Sequence, residues 1–308
     1  MPASEPSWYD DRVTDTLRPP RPPRAESRDV AALRDIREQF PELSEAVDMQ
    51  IEVLELYRRV QGRVALPCFE LNADVIGAHQ QRGQPLLRFE EIRIEPTDLR
   101  LVVRQVAEVL QRHGALEEGD GRRVQTIGRE MNLLALAARW YDSTTRKRRA
   151  TPAGGLHDAE SQETPGDADP ALDQVLLLAM RPWLSRCAEV LQQRPELALW
   201  THPHCALCGG EPDLAVITPS AERHLVCGRC TLRWKFAPLT CPYCQNSDRS
   251  RITSFATPDG QYRVYACDQC QRYLKAFDGR RARRPVMPLV DAIATLPLDA
   301  YAMQRGYR

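Results

Sequence analysis

Four Cys-x-x-Cys pairs constrain this chain more than any other feature of its sequence. Eight of its ten cysteines lie within residues 205–270 of a 308-residue chain. Each pair leaves a gap of two residues, so a tight turn can direct both sulfurs at one ion. Two such turns complete a tetrahedral site of four thiolates. The pairs therefore predict two metal ions, each held by four cysteines.

The spacing between the pairs indicates which of them share an ion. Eighteen residues separate the first two pairs and 22 separate the last two, close to the roughly 15–20 typical of four-cysteine zinc sites. Only ten residues separate the second pair from the third. We therefore expect a first cluster of Cys205, Cys208, Cys227 and Cys230, and a second cluster of Cys241, Cys244, Cys267 and Cys270. An interleaved grouping of the pairs stays open as an alternative.

Short β-prone segments lie between the pairs and predict two hairpin ribbons. The candidate strands are residues 214–218 and 223–227 in the first ribbon, and 250–255 and 261–265 in the second. Each ribbon ends in a segment of aromatic and basic residues, whose rings we expect to shield the metal. His202, His204 and His224 lie near the pairs. Because four thiolates complete each site, these histidines are expected behind the ligands or at the surface.

Other uses of paired cysteines were weighed against metal binding. In a reducing compartment, close pairs are metal ligands more often than disulfides. Four pairs in tandem without a βαβ pattern also argue against thioredoxin-like dithiols. Purely structural metals stay open, because a four-cysteine zinc site can supply the folding energy of a small domain. Cys68 and Cys187 have no neighbouring cysteine, and we expect both to be small apolar fillers.

The N-terminal 200 residues carry apolar positions at helical spacing, which predicts an all-helical domain. Helices are expected at about 42–60, from 97 or 98 to 112, at about 121–141 as one helix, and from 169 or 170 to about 193. The fold class is therefore α+β: a helical domain followed by two tandem four-cysteine modules of the rubredoxin-like or zinc-ribbon type. The predicted boundaries are a Pro- and Arg-rich tail at 1–28, a helical domain at 29–200 with a flexible loop at 142–169, a first metal ribbon at 201–240, and a second metal ribbon with a C-terminal tail at 241–308.

The distribution of charge argues against nucleic-acid binding. The formal net charge of the chain is zero, but residues 201–308 hold 15 Lys and Arg against 9 Asp and Glu. A basic module of this kind is typical of proteins that bind nucleic acid. Four thiolates around a divalent ion leave a charge of about −2 at each site, because ligation deprotonates the thiols. We therefore interpret most of the basic surplus as counter-charge to the metal centres.

The sequence also argues against a membrane protein and against an enzyme. No apolar run approaches the ~20 residues of a membrane helix, and the first residues lack the pattern of a secretory signal. We therefore expect a cytoplasmic protein without membrane insertion. No phosphate-binding loop, dinucleotide fingerprint or His-Glu-x-x-His zinc motif occurs in the chain. No catalytic constellation is recognisable in the helical domain.

The order and the flanks of the four pairs are more specific than any one pair. The motifs are Cys205-x-x-Cys-Gly-Gly-x-Pro212, His224-x-x-Cys-x-x-Cys-x-x-x-Trp234, Cys241-Pro-x-Cys244 and Cys267-Asp-x-Cys-x-x-Tyr-x-Lys275. With these motifs in this order, the C-terminal module resembles FdhE, a family of formate dehydrogenase accessory proteins. The N-terminal domain agrees with that family in length and helical class only.

The resemblance implies a cytoplasmic accessory protein that binds the catalytic subunit of a respiratory formate dehydrogenase and assists its assembly. It also implies two iron ions (Fe2+/Fe3+), held by the eight cysteines of the two clusters in rubredoxin-like sites. Spacing alone leaves the metal open between iron and zinc, so Zn2+ is the alternative. The alternative functions are a zinc-ribbon protein that binds nucleic acid and a rubredoxin-type electron carrier. Whether the chain forms a homodimer also stays open.

Overall fold

The computed structural model describes residues 27–64, 72–146, 169–282 and 284–308. Residues 1–26 of the predicted tail, residues 147–168 of the predicted loop, and Cys68 lie outside this part of the chain. The helices of the N-terminal region are α1 (Arg28–Gln39), α2 (Ser44–Gln61), α3 (Ala73–Arg82), α4 (Pro96–Arg112), α5 (Glu118–Glu130), α6 (Leu133–Arg146) and α7 (Pro170–Gln192). The predictions that correspond to α2, α4 and α7 are confirmed to within about two residues at each end.

The predicted single helix at 121–141 is wrong, because the chain turns between α5 and α6. Met131 follows α5 in an extended conformation, with φ −107° and ψ 163°. The side-chain oxygen of Asn132 then accepts a hydrogen bond from the Ala135 N–H at 3.1 Å. An Asn in this role offers the backbone an alternative to continued helix and starts a new one. Met131 lies at this turn and is 47% exposed.

Helix α7 packs against α2, α4, α5 and α6. Asp169 caps its first turn by accepting hydrogen bonds from the N–H groups of Ala171 and Leu172 at 3.1 and 3.2 Å. Pro182 removes one backbone donor, yet the helix continues through it without a break. Apolar residues on both sides of this proline are buried, Met180 and Leu184 among them. Their burial stabilises the helix and offsets the loss of that hydrogen bond.

The two predicted ribbons join into one sheet. Its strands are β1 (Pro212–Ile217), β2 (Arg223–Cys227), β3 (Arg233–Lys235), β4 (Ile252–Ala256), β5 (Tyr262–Cys267) and β6 (Arg272–Asp278). Their order is β3-β2-β1-β6-β5-β4. Pairing is antiparallel within each ribbon, whereas β1 and β6 pair in parallel and connect the ribbons. The sequence predicted the hairpins but gave no indication of this parallel junction.

Each face of the sheet is covered by different helices. On one face, Ala215, Leu225 and Ala276 belong to the same apolar core as the buried positions of α4 and α7. On the other face, Val216 and Phe277 pack with apolar residues that follow the last strand. Part of the stretch expected as a C-terminal tail forms two helices there, α8 (Pro288–Ala294) and α9 (Leu296–Gln304).

Helix α8 also ties the sheet to the N-terminal helices. Its Val290 is fully buried in a cluster with Leu33 of α1 and Val47 of α2. Asp291 of the same helix is buried and accepts hydrogen bonds from Tyr262 of β5 at 2.7 Å and from Arg284 at 2.5 Å. The sheet therefore contacts the N-terminal helices directly through one face and indirectly through α8. No helix within the described ranges has the length and apolar character needed to cross a membrane.

Candidate metal centres

The structure brings the eight paired cysteines together in two clusters of four, grouped as consecutive pairs. Within each cluster, the four sulfurs all lie within 4.8 Å of one another. In the first cluster, the sulfur of Cys205 lies 3.5 Å from that of Cys230, and the sulfur of Cys208 lies 3.5 Å from that of Cys227. A tetrahedron with metal–sulfur bonds of about 2.3 Å has sulfurs about 3.8 Å apart. Each cluster could therefore hold one tetrahedral metal ion.

All four Cys-x-x-Cys turns have the same backbone geometry. The residue after each pair is left-handed: Gly209, Thr231, Gln245 and Gln271 have φ of 68°, 61°, 60° and 56°. Its N–H donates to the carbonyl of the first cysteine of the pair, at 2.8–3.0 Å. Left-handed backbone costs a non-glycine residue about 1–2 kcal/mol. In three of the four turns this residue is not glycine, so contacts with the surrounding structure compensate for the cost.

The first cluster is buried between the sheet and the N-terminal helices. Its four cysteines are at most 1% exposed. The backbone of its first pair is held by the segment before α4: the N–H groups of Leu86 and Leu87 donate to the carbonyls of Ala206 and Leu207 at 2.8 and 2.9 Å. Tyr141 of α6 in turn donates to the Leu87 carbonyl at 2.9 Å. The first pair is thus bonded to the helical region through its own main chain.

Two arginines hold the second pair of the first cluster in the same way. Arg181 of α7 donates to the carbonyls of Gly228 and Arg229, which lie between the two cysteines. The guanidinium of Arg229 points back into the helical region, with its Cζ 4.0 Å from the centre of the Trp140 ring and 5.3 Å from that of Tyr141. Arg229 is only 5% exposed. The charge of its guanidinium therefore lies in a low-dielectric region beside the sulfurs.

The four sulfurs of the first cluster form a donor set that suits a cation. Burial raises the pKa of the Cys205 and Cys230 thiols well above the ordinary value, because a buried thiolate loses its hydration. Four thiolates at this depth would repel one another with little screening. A divalent ion offsets that charge directly, and the set of four sulfurs suits zinc or iron. The residues present therefore fit a tetrahedral metal ion.

The second cluster differs from the first in its exposure. Cys241 and Cys267 are buried, but Cys244 and Cys270 are partly exposed. The sulfurs of Cys241 and Cys270 lie 3.7 Å apart, and those of Cys244 and Cys267 lie 3.6 Å apart. Burial also raises the pKa of Cys241, to about 11. One side of this cluster therefore faces away from the core, while its ligand geometry matches that of the first cluster.

Several residues near the pairs serve to position the ribbons. His202 and His204 are not in either cluster: their Nε2 atoms lie 2.7 Å from the Gln80 carbonyl and 3.1 Å from the Gly83 carbonyl. Trp234 is 1% exposed, and its indole N–H donates to the His202 carbonyl at 3.0 Å. These side chains link the first ribbon to α3 and to the loop after it.

Three residues show where prediction from the sequence succeeded or failed. Cys187 is buried in α7 outside both clusters, as expected of an apolar filler. The structural roles of Arg181 and Arg229 were missed. The available signals were a charged residue inside an apolar helix and an arginine between two ligand cysteines. Neither signal specifies a partner, because both arginines act on main chain or rings that are distant in sequence.

A helical region followed by a sheet with two four-cysteine clusters defines the class of this protein, and the predicted fold class is confirmed. The crystal structure of the FdhE protein from Pseudomonas aeruginosa has the same fold, with a TM-score of 0.58, 18% identity and 91% of each chain covered. A curated Protein FdhE homolog from Haemophilus ducreyi is 28% identical over 134 residues. Together, these two comparisons confirm the resemblance to FdhE that the cysteine motifs predicted.

The sequence match is shorter than the structural one. It covers 42% of this chain and 43% of the curated Haemophilus ducreyi relative, so less than half of that protein is matched. No protein-family model matches the sequence. The structural comparison covers most of the chain, and what it shows is a similarity of fold.

Proposed function

We propose that this chain is a metal-binding accessory protein that assists the formation of a respiratory formate dehydrogenase. The observation that carries the proposal is the fold itself: a helical region and one sheet with two four-cysteine clusters, in a chain whose fold matches the FdhE crystal structure. In this proposal the protein acts in the cytoplasm by binding the catalytic subunit of that dehydrogenase. It holds its client during assembly and catalyses no reaction of its own.

The proposed ligands of the metals are the eight cysteines of the two clusters, and the proposed metal is iron, with zinc as the alternative. An iron ion in four thiolates can gain or lose one electron, whereas zinc cannot. The protein surrounds the two ions differently. The sheet and the N-terminal helices together bury all four cysteines of the first cluster, whereas the second cluster keeps two partly exposed cysteines. We therefore assign a structural role to the first ion and place the second near the client.

A direct test is co-purification from cells that make a respiratory formate dehydrogenase. The tagged protein should retain the catalytic subunit, and deletion of its gene should lower formate dehydrogenase activity. A double variant, Cys241→Ser with Cys244→Ser, should reduce retention, because the second cluster then lacks half of its ligands. Cys187→Ala is the matched control, since it removes a buried thiol from outside both clusters.

Two outcomes would contradict the proposal. One is the absence of the catalytic subunit from the purified material together with unchanged formate dehydrogenase activity after deletion. The other is retention of nucleic acid that decreases steeply with added salt, as a zinc-ribbon nucleic-acid-binding protein would show. The metal is tested separately by metal analysis and a visible spectrum. Thiolate-to-iron charge-transfer bands support iron, and a colourless protein with two zinc ions contradicts it.

A further inference from the structure

A cavity opens beside the second cluster, on the sheet. Its volume is about 260 Å³, and all of its lining residues belong to the segment 217–280. Its walls include Cys241 and Cys267 of the second cluster, the apolar side chains of Ile252 and Leu274, and Arg223 of β2. Pockets for drug-sized ligands have volumes of about 300–1,000 Å³. This cavity is smaller, and it suits one or two amino-acid side chains.

Arg223 is an unusual residue to find in such a wall. It is only 5% exposed. Its Nη1 donates to the carbonyl of Thr240 at 2.8 Å and more weakly to that of Ala237 at 3.4 Å. The rings of Tyr265 and Phe236 lie 5.7 and 6.0 Å from its Cζ. These contacts fix the guanidinium in one position before any ligand arrives.

The Nε atom of this guanidinium is buried and has no acceptor among the residues that the structure describes. No carboxylate in the same residues forms an ion pair with it, although the neighbouring arginines are paired. Arg272 binds Glu211 at 2.6 Å, and Arg280 binds Asp278 at 2.7 Å. A buried N–H group without an acceptor is costly, so a ligand that supplies an acceptor gains the corresponding energy.

The edge formed by Nε and Nη2 is one of the two that hold a carboxylate with parallel hydrogen bonds. We infer that the cavity binds the side-chain carboxylate of an acidic peptide segment whose neighbouring residues are apolar. Arg223 receives the carboxylate, and the apolar walls receive the adjacent side chains. The inference requires only a polypeptide partner, so it does not depend on that partner being formate dehydrogenase.

The surrounding charges predict how this binding responds to salt. With a divalent ion bound, the second cluster carries a charge of about −2. This negative charge is offset by Arg223 and by the pair Arg263 and Arg280, whose two positive charges exceed the single negative charge of the buried Asp278. The net field at the cavity is therefore small, and the peptide is held by direct hydrogen bonds and apolar contact. The affinity for the peptide should change by less than about threefold between low and physiological salt, because salt mainly screens long-range attraction between charges and little of that attraction is present.

A rival role for Arg223 is to balance the charge of the second cluster. The composition of this module favours that role for its basic residues. The two roles make different predictions for Arg223→Gln. A counter-charge role predicts loss of metal from the second cluster, whereas the peptide-binding role predicts two bound ions and lost peptide affinity. Metal content therefore has to be measured on the same sample as binding.

The test is selection of a displayed random heptapeptide library on the full chain loaded with two zinc ions. Selected sequences should carry Asp or Glu beside apolar residues. Synthetic copies should bind by fluorescence anisotropy, and replacing the acid by its amide should weaken binding roughly tenfold to a hundredfold, as for a hydrogen-bonded charge. Arg223→Gln should weaken binding to the same extent with both zinc ions retained. Arg233→Gln, an exposed arginine on β3 outside the cavity, should have no effect.

A second variant keeps the test decisive if Arg223→Gln does not fold. Ile252→Trp fills the cavity from another lining residue and leaves the guanidinium in place, so it too should abolish peptide binding. The inference is overturned if the selected peptides lack an acid, or if the acid and amide peptides bind equally. It is also overturned if Ile252→Trp binds normally, or if the loss in Arg223→Gln follows loss of a zinc ion.

Discussion

Arg229 offers the sharpest test of how the first cluster is attached to the helical region. The substitution Arg229→Met keeps most of the side-chain volume and removes the guanidinium. The cation lies 4.0 Å above the Trp140 ring, a buried contact worth about 2 kcal/mol. Its hydrogen bond to the Trp140 carbonyl at 3.3 Å contributes about 1.5 kcal/mol more, as for other charged donors. We expect the free energy of unfolding to fall by about 3 kcal/mol.

The unpaired Nη1 of Arg229 makes this magnitude informative. That nitrogen is buried without an acceptor among the described residues, and its desolvation costs about 1–3 kcal/mol. If the cost cancels the two favourable contacts, Arg229→Met will be neutral and the reasoning above is refuted. If the contacts prevail, the variant is destabilised. Arg229→Lys should recover less than half of the loss, because an ammonium cannot lie flat on the indole ring.

The assay is urea unfolding of the zinc-loaded chain, followed by tryptophan fluorescence and by zinc release to a coloured chelator. Two probes are needed because a metalloprotein with two parts need not unfold in one step. In Arg229→Met, zinc of the first cluster should become available at lower urea, while release from the second cluster stays unchanged. Earlier release from both clusters alike would mean a general loss of stability, and the assigned contact would then be wrong.

Three further predictions concern the clusters and their supporting charges. In native buffer, a chelator should remove one zinc ion well before the other, and Cys270→Ser should eliminate the fast phase, because the second cluster is the more exposed; two equal rates would contradict this. Gln245→Gly should raise the free energy of unfolding by about 0.5–1 kcal/mol by relieving left-handed backbone, whereas the control Gln245→Ala, which keeps the Cβ, should not. Arg280 and then Arg263 lower the pKa of the buried Asp278 to about 2, below its unfolded value, so the stabilisation is complete above about pH 4 and is lost as the pH falls through 2. The substitution Asp278→Asn should therefore lower the free energy of unfolding by about 2 kcal/mol. Urea unfolding should give the same loss at every pH between 5 and 8, and a loss that varies over that range would contradict the assignment.

The sequence predicted most of the features that depend on local pattern. The start of α7 could be located because Asp169 is a favourable cap before a proline. The strands were found because β-prone runs alternate with turns. The grouping of the cysteines followed from their spacing. Each of these signals is contained within a few residues or a short loop, so it can be interpreted without knowing the tertiary structure.

The features that escaped prediction depend on contacts between distant segments. The parallel pairing of β1 with β6 joins residues about 60 positions apart, and no local pattern specifies it. The break between α5 and α6 was missed because Asn132 is an acceptable helix residue until its side chain caps the next turn. The difference in burial between the two clusters could not be predicted for the same reason. Both clusters have equivalent motifs, and only the position of the helices makes one buried.

The charges of the C-terminal module show how far an argument from composition can go. Its surplus of basic residues was interpreted as counter-charge to the metal centres. Arg229, at the first cluster, fits that interpretation. Several of the other cations form ion pairs with carboxylates: Arg263 and Arg280 share Asp278, and Arg284, Lys275 and Lys235 pair with Asp291, Asp299 and Glu222. Arg223 lies beside the second cluster, and its Nε has no acceptor among the described residues. A partner proposed to bind beside that cluster would therefore meet little net field, and shape and directed hydrogen bonds would select it.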